Sequence, residues 1–404
     1  MKTTKPGRLG DLKSLKVKAD GQDITNAVLA THVWQDIFTP GWSCSLVMGD
    51  TNNVIHTIPL KQGTILSIQI ETSNDCPTDG SKTFEFVLQK ITNRRFEKNR
   101  MQSYVITGIS KEFIKSMQKR VSQYYTGTAD SIASSIMSEH VGGSLETDSS
   151  NSNMDLIIPR MAPFTAISWL CKMANDGQAS DFIFFMKDSG SFVMKRFENL
   201  YNEDCGYTLK QKPADERDNA GNIEADDAFA FQDYLMEHHD AVLATAGGMF
   251  GSTTYKHDLI NKEFSSCNFS YGEDCPEDAT KKDFGGMLSD AEFSNVGFYP
   301  KHKGSVDQEN PNDSVEKWAG SRKSSLLKLD QNRLIVQLPG GVNYWSAIGK
   351  GITVEMESHE DMSGEKKDKY YRGKYLVAAV NHTIQGEIYT VNLELLKKRL
   401  DKPM

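Results

Sequence analysis

At 404 residues the chain exceeds what one hydrophobic core ordinarily organises, so it is expected to divide into roughly two to four domains. Hydrophobic residues at 38%, charged residues at 25% and a mean hydropathy of -0.49 fit a globular chain and exclude a disordered or fibrous one. The formal net charge of -8 argues against a general nucleic-acid-binding surface, which would need clustered Lys and Arg.

No apolar run approaches the roughly 18 to 20 residues that cross a bilayer. Met1 to Leu12 has neither the apolar segment nor the cleavage site of a secretory signal, so synthesis in a cytoplasm and no membrane insertion are expected. Cys44, Cys76, Cys171, Cys205, Cys267 and Cys275 include no C-x-x-C pair, which predicts reduced thiols rather than disulfide staples.

In residues 1–110 the pattern alternates with period two. Leu66, Ile68 and Ile70 share one face, as do Phe84, Phe86 and Leu88, and further strands are expected at Leu15 to Ala19, Ser43 to Met48 and Gln102 to Ile109. Turn clusters such as Asp50-Thr51-Asn52-Asn53 separate them, and a small β-barrel or sandwich would hide the sheet edges. From 111 to 206 the period becomes helical. Ile132, Ile136, Met137 and His140 form one stripe, and Pro163 opens a second helix with Phe164, Ile167, Leu170, Cys171 and Ala174 on one side. A hairpin around Asp188-Ser189-Gly190 completes this α+β domain.

Residues 207–227, with Asp215-Glu216-Arg217-Asp218 and few large apolar side chains, read as a linker. Ala228 to Leu243 and Ile260 to Ser270 look strand-like, and an irregular stretch rich in Gly, Asp, Asn and Pro follows. Asn312-Asp313-Ser314 then caps a helix through about Lys328. Strands are expected at Arg333 to Leu338, Gly351 to Met356, Tyr375 to Asn381 and Ile388 to Leu395, the last with Tyr389, Val391, Leu393 and Leu395 on one face. The fold class is therefore α+β, mainly β. Two barrels are expected, 1–110 and a split one from 228–270 with 322–404, the latter interrupted by an insertion at 271–321 that ends in a helix.

Chemistry-bearing motifs are scarce. There is no H-E-x-x-H element for a zinc hydrolase and no G-x-S-x-G elbow for an activated serine. His238-His239-Asp240 is the densest cluster, but neighbouring side chains on a strand point to opposite faces, so an exposed and a buried His is the plainer reading. Cys267 and Cys275 lack a further Cys or His partner nearby. Gly247 to Thr253 lacks the Lys of a phosphate-cradling loop and reads as a flexible loop. A glycosidase's two carboxylates cannot be picked out by spacing among 54 acids. Trp169 is read as core. Tyr344 and Trp345, in the turn-rich Gly340-Gly341-Val342-Asn343-Tyr344-Trp345, are the candidate interface residues, because loop aromatics anchor interfaces; otherwise they cover the end of the second barrel.

Two stretches carry a resemblance. One runs from Leu156-Ile157-Ile158-Pro159-Arg160-Met161-Ala162-Pro163-Phe164-Thr165-Ala166-Ile167-Ser168-Trp169-Leu170 to Phe182-Ile183-Phe184-Phe185. The other runs from the Val315 to Lys328 helix through Arg333-Leu334-Ile335-Val336-Gln337-Leu338-Pro339-Gly340 and Gly349-Lys350-Gly351-Ile352-Thr353-Val354 to Gly373-Lys374-Tyr375-Leu376-Val377. In this order they resemble the baseplate hub proteins of contractile-tailed phages, relatives of the head region of type VI secretion spike proteins. The stretch Gly272 to Pro311 departs from the pattern.

The resemblance implies tail-tube-like barrels and a homotrimer in which three doubled subunits imitate a six-fold ring. It implies contacts with a central spike protein, a tail tube or distal tail protein, the tape measure protein and the surrounding baseplate wedge proteins, with DNA only as cargo in the channel. A place in the virion tail, assembly in the host cytoplasm, no cofactor, no metal and no catalytic site follow from it. The rival readings are a tail-associated cell-wall hydrolase and a spike or adaptor protein of the same particle.

Overall fold

The structure, a computed structural model, describes residues 12–72, 80–96, 101–151, 153–177, 179–211, 229–231, 233–238, 240–258, 261–274, 295–301, 315–358 and 368–398. It is a mainly-β α+β protein.

In the first half, strands Leu12–Ala19, Ile65–Thr72, Lys82–Phe96, Gln102–Ser110, Ser43–Asp50 and Val28–Asp36 lie side by side in that order, every neighbouring pair antiparallel. The alternation read from the sequence sets their inner face: Leu66, Ile68 and Ile70 are fully buried, as nearly are Phe84, Phe86 and Leu88. Val28–Asp36 is a long strand of this half that the sequence reading missed. Its inner positions Thr31 and Gln35 are polar, so the usual apolar alternation is broken.

The second half contributes Asp204–Gln211, Gly351–Glu355, Gly373–Gln385, Ile388–Leu396, Asn332–Pro339 and Tyr234–His238, again in spatial order. Ala230–Phe231 pairs with Asp204–Gln211 at one end of this set, and Tyr234–His238 pairs with Asn332–Pro339 at the other.

The two halves are not separate barrels. Strand Gly373–Gln385 belongs to both: on one edge its first residues pair with Gly351–Glu355 and its last seven with Val28–Asp36, while the other edge pairs with Ile388–Leu396. A bulge between Val377 and Ala379 marks the change of partner, and the extra residue, Ala378, accepts a hydrogen bond from Ile37 N at 3.0 Å. The result is one 14-stranded sheet, and among the described residues neither half is closed by a continuous ladder. Where two tail-tube-like barrels were expected, the structure has two strand sets joined through a shared strand. Sharing removes one exposed edge from each half, which separate open sheets would have to protect.

Between them sits the α+β unit. Helix Pro163–Met173 starts on its proline and buries Phe164, Ile167, Leu170 and Cys171, as its periodicity predicts. Phe182–Met186 and Phe192–Arg196 form the expected hairpin, with Leu145–Thr147 added in parallel. Strand Asp204–Gln211 crosses the boundary assigned between this unit and the linker, whose residues 212–227 lie outside the described residues.

The expected pairing of 228–270 with 330–397 holds only for its first part. Gly251–Asp258 and Glu263–Ser270 instead pair with each other and with Asn295–Lys301 in a separate three-stranded sheet. Helix Val315–Leu329 covers it: Lys256 pairs with Glu316 at 2.8 Å and Ser324 Oγ donates to Met249 O at 2.8 Å. The insertion sheet therefore begins at Gly251, well before 271, and the helix expected through about Lys328 runs to Leu329.

Candidate functional site: the joint between the halves

Tyr344 and Trp345 start the short 3-10 turn Tyr344–Ala347 that links strands Asn332–Pro339 and Gly351–Glu355. Their side chains are 0% and 1% exposed. Trp345 Nε1 donates to Gly80 O at 3.0 Å, its ring tilts on Phe84 at 4.5 Å, and it stacks on His382 with the planes 16° apart. Tyr344 meets Tyr207 edge-on at 6.0 Å, and burial pushes its phenol far up. These aromatic side chains face other parts of the same chain, in keeping with the alternative reading that they cover the end of the second strand set. The backbone allows this only because Gly80 has no side chain: a Cβ there would stand 2.3 Å from Gly341 O.

His382 lies on the shared strand. Its Nδ1 is 2.6 Å from Tyr389 Oη, and burial, reinforced by the nearby Lys82 charge, holds its pKa well below the usual imidazole value. Lys82, from the first half, lies 5.3 Å from the Trp42 ring centroid and donates to Asp188 O at 2.5 Å, with the Asp188 carboxylate at 3.5 Å. Burial lowers the ammonium's pKa against the pull of Asp188. Trp42 Nε1 donates to Met186 O at 3.2 Å, so the α+β hairpin is tied to the first half from both sides. On the opposite flank, Arg322 of the insertion helix donates to the carbonyls of Cys171, Ser180 and Phe182. Polar groups at the joint thus bind domains to one another. Sequence reasoning missed Lys82, Arg322 and His382 because each acts on residues far away in the chain.

The other sequence candidates do not converge. His238 is exposed with its ring 5.1 Å from Tyr371, His239 lies outside the described residues, and Asp240 caps helix Ala241–Gly247 by accepting from Leu243 N at 2.8 Å. Gly248, at φ +84°, ends that helix and strand Gly251–Asp258 starts three residues later, so Gly247 to Thr253 is a helix cap and strand rather than a flexible loop. Cys267 is half-buried and Cys275 lies outside the described residues. Among the described residues no group of three or more His, Cys, Asp or Glu could hold a metal ion, and no helix is long and apolar enough to cross a membrane.

A further surface was not legible at all. On the insertion sheet Phe264 and Phe298, 61% and 71% exposed, flank Tyr255 at 5.2 and 5.1 Å beside a cleft of about 390 Å³.

The shared strand and the polar contacts around it define one connected scaffold. Solved structures share that fold. The 43 kDa tail protein of prophage MuSo2 from Shewanella oneidensis aligns over 96% of this chain and 99% of its own, at 10% identity and a TM-score of 0.58. The tail protein from Neisseria meningitidis MC58 aligns over 95% and 96%, at 11% identity and a TM-score of 0.52. The chain therefore has the fold of phage tail proteins over nearly its whole length. No family model and no curated protein matches the sequence.

Proposed function

We propose that this chain is a baseplate hub subunit of a contractile phage tail, a structural ring component without a catalytic site of its own. The observation that carries the proposal is the joint: two strand sets held in one sheet by Gly373–Gln385, in a fold shared end to end with two phage tail proteins. A subunit built from two such halves suits a trimer that presents six comparable contacts around a channel. In that role it would join a hexameric tail tube to a trimeric central spike and let the tape measure protein and DNA pass, with baseplate wedge proteins outside. The joint fits this load, because force crossing from one half to the other runs through a continuous hydrogen-bonded ladder.

The test is the native mass together with negative-stain images of the purified protein. Rings of three times the 45.2 kDa chain mass, with a central hole, are the expected result. A monomer at micromolar concentration, with the adjacent spike protein added, would overturn the proposal. The hydrolase alternative is decided by incubating purified protein with peptidoglycan: cleavage that one carboxylate substitution abolishes would replace the structural reading.

A further inference from the structure

The inner side of the joint holds a row of polar groups that its own fold does not satisfy. The Thr31 hydroxyl, both amide atoms of Gln35 and Nε2 of His382 have no hydrogen-bond partner among the described residues. Exposures of 0%, 1% and 1% remove bulk solvent as the partner.

Register places the three side chains together. Across the strand pair that joins the halves, Ile384 stands opposite Thr31, His382 opposite Val33 and Val380 opposite Gln35. Positions 31, 33 and 35 point inward while His32 and Trp34 point the other way. His382 is therefore the diagonal neighbour of both Thr31 and Gln35, about 7–8 Å away between backbones. That spacing suits two hydrogen bonds through one intervening molecule. The imidazole cannot turn away to find another partner, because Tyr389 Oη holds Nδ1 and Trp345 covers its face.

The chemistry of the row narrows what it binds. A hydroxyl, a primary amide and a neutral imidazole nitrogen offer both donors and acceptors and no charge; the single imidazole is at most one metal ligand, and among the described residues no group of three or more His, Cys, Asp or Glu gathers to complete a site. Leaving such atoms bare in a core forfeits the hydrogen bonds that water would give them in the unfolded chain. Buried polar groups that the protein itself leaves unmatched are where internal water, with two to four partners, is ordinarily held.

We propose that the joint is a hydrated seam, in which ordered internal water bridges Thr31, His382 and Gln35 beneath the shared strand. The inference concerns the fold itself and stands whether or not the chain assembles into a ring.

A crystal structure of the full chain at a resolution that places solvent decides it. Water within hydrogen-bonding distance of His382 Nε2 and of Gln35 or Thr31 is the expected result. A dry seam, or a Gln35 amide turned onto a protein partner, overturns it. Thermal unfolding of Gln35→Met gives a second readout with opposite signs for the two cases. If the seam is hydrated, the melting midpoint falls, since water bound to His382 and Thr31 loses a partner; if it is dry, deleting an unmatched amide raises the midpoint. Thr31→Val makes the same comparison with a smaller change of shape should Gln35→Met fail to fold.

Discussion

The indole nitrogen of Trp345 and the carbonyl oxygen of Gly80 lie 3.0 Å apart although 265 residues separate them in the chain, and the bond is buried. It fastens the loop of the second half to the entrance of strand Lys82–Phe96 in the first. Trp345→Phe keeps an aromatic ring on Phe84 and His382 but leaves a buried carbonyl unmatched, so a loss of about 1–3 kcal/mol is expected. Trp345→Ala also opens a cavity and should lose about 3–5 kcal/mol. Urea denaturation measures both. Equal stability of wild type and Trp345→Phe would show that the bond contributes nothing.

Stability should decline on mild acidification. The folded-state pKa of His382 is held well below 6.5, so as pH falls beneath 6.5 the unfolded chain takes up a proton that the folded chain refuses. The slope is at most about 1.4 kcal/mol per pH unit. His32, lowered by burial, adds to it with the same sign. Asp36 works in the opposite direction: burial raises its carboxyl, so the folded state gains from its protonation as pH falls towards the carboxylate range. His382→Phe should flatten the dependence of the melting midpoint between about pH 6.5 and 5 whatever it does to the absolute midpoint. An unchanged slope would assign the acid sensitivity to other groups.

The cysteines should divide by burial. Desolvation pushes the thiols of Cys44 and Cys171 up to about 12, and both are buried. A thiolate is the reactive form, so at pH 8 iodoacetamide should leave both unmodified in the native protein and label them in urea. Cys267, half-buried on the insertion sheet, should react first of these three. Peptide mass mapping over a time course distinguishes them, and rapid native labelling of Cys171 would mean that the helix Pro163–Met173 opens readily.

What the sequence disclosed and what it hid follow one physical division. Alternation at Leu66, Ile68 and Ile70, the stripe from Phe164 to Cys171 and the face of Tyr389 to Leu395 are local patterns, and each appears buried as read. The joint is not local. Gly373–Gln385 looks like any half-buried strand until Val28–Asp36 lies beside its last residues, and Thr31 and Gln35 concealed that partner by putting polar groups on its inner face. Tyr344 and Trp345 were placed by loop composition, which marks a turn but not which side of it another part of the chain will cover. Gly251–Asp258 was missed as a strand because Gly251, Ser252, Thr253 and Thr254 open it without an apolar alternation, and one of its two partners, Asn295–Lys301, lies more than thirty residues later.

Arg322 offers the sharpest test of how the insertion is attached. Its Nη1 lies 2.8 Å from Cys171 O, 3.2 Å from Ser180 O and 3.0 Å from Phe182 O. Cys171 is in the last turn of helix Pro163–Met173, where carbonyls lack intrahelical donors and a cation is favoured by the helix dipole. Burial lowers the guanidinium's pKa, with Asp181 opposing, yet arginine stays charged throughout the accessible range. Arg322→Met keeps much of the apolar stem but strips these carbonyls of their donor, and about 2–4 kcal/mol should be lost. Arg322→Lys should fall between, because its shorter side chain must bring one ammonium to the place that Nη1 occupies. Hydrogen exchange locates the effect: amides of strand Phe182–Met186 and the end of helix Pro163–Met173 should exchange faster in Arg322→Met, while those of strand Ile65–Thr72 keep their relative protection. Uniform acceleration across both regions would instead mean that Arg322 supports global stability without fastening the insertion helix to this site.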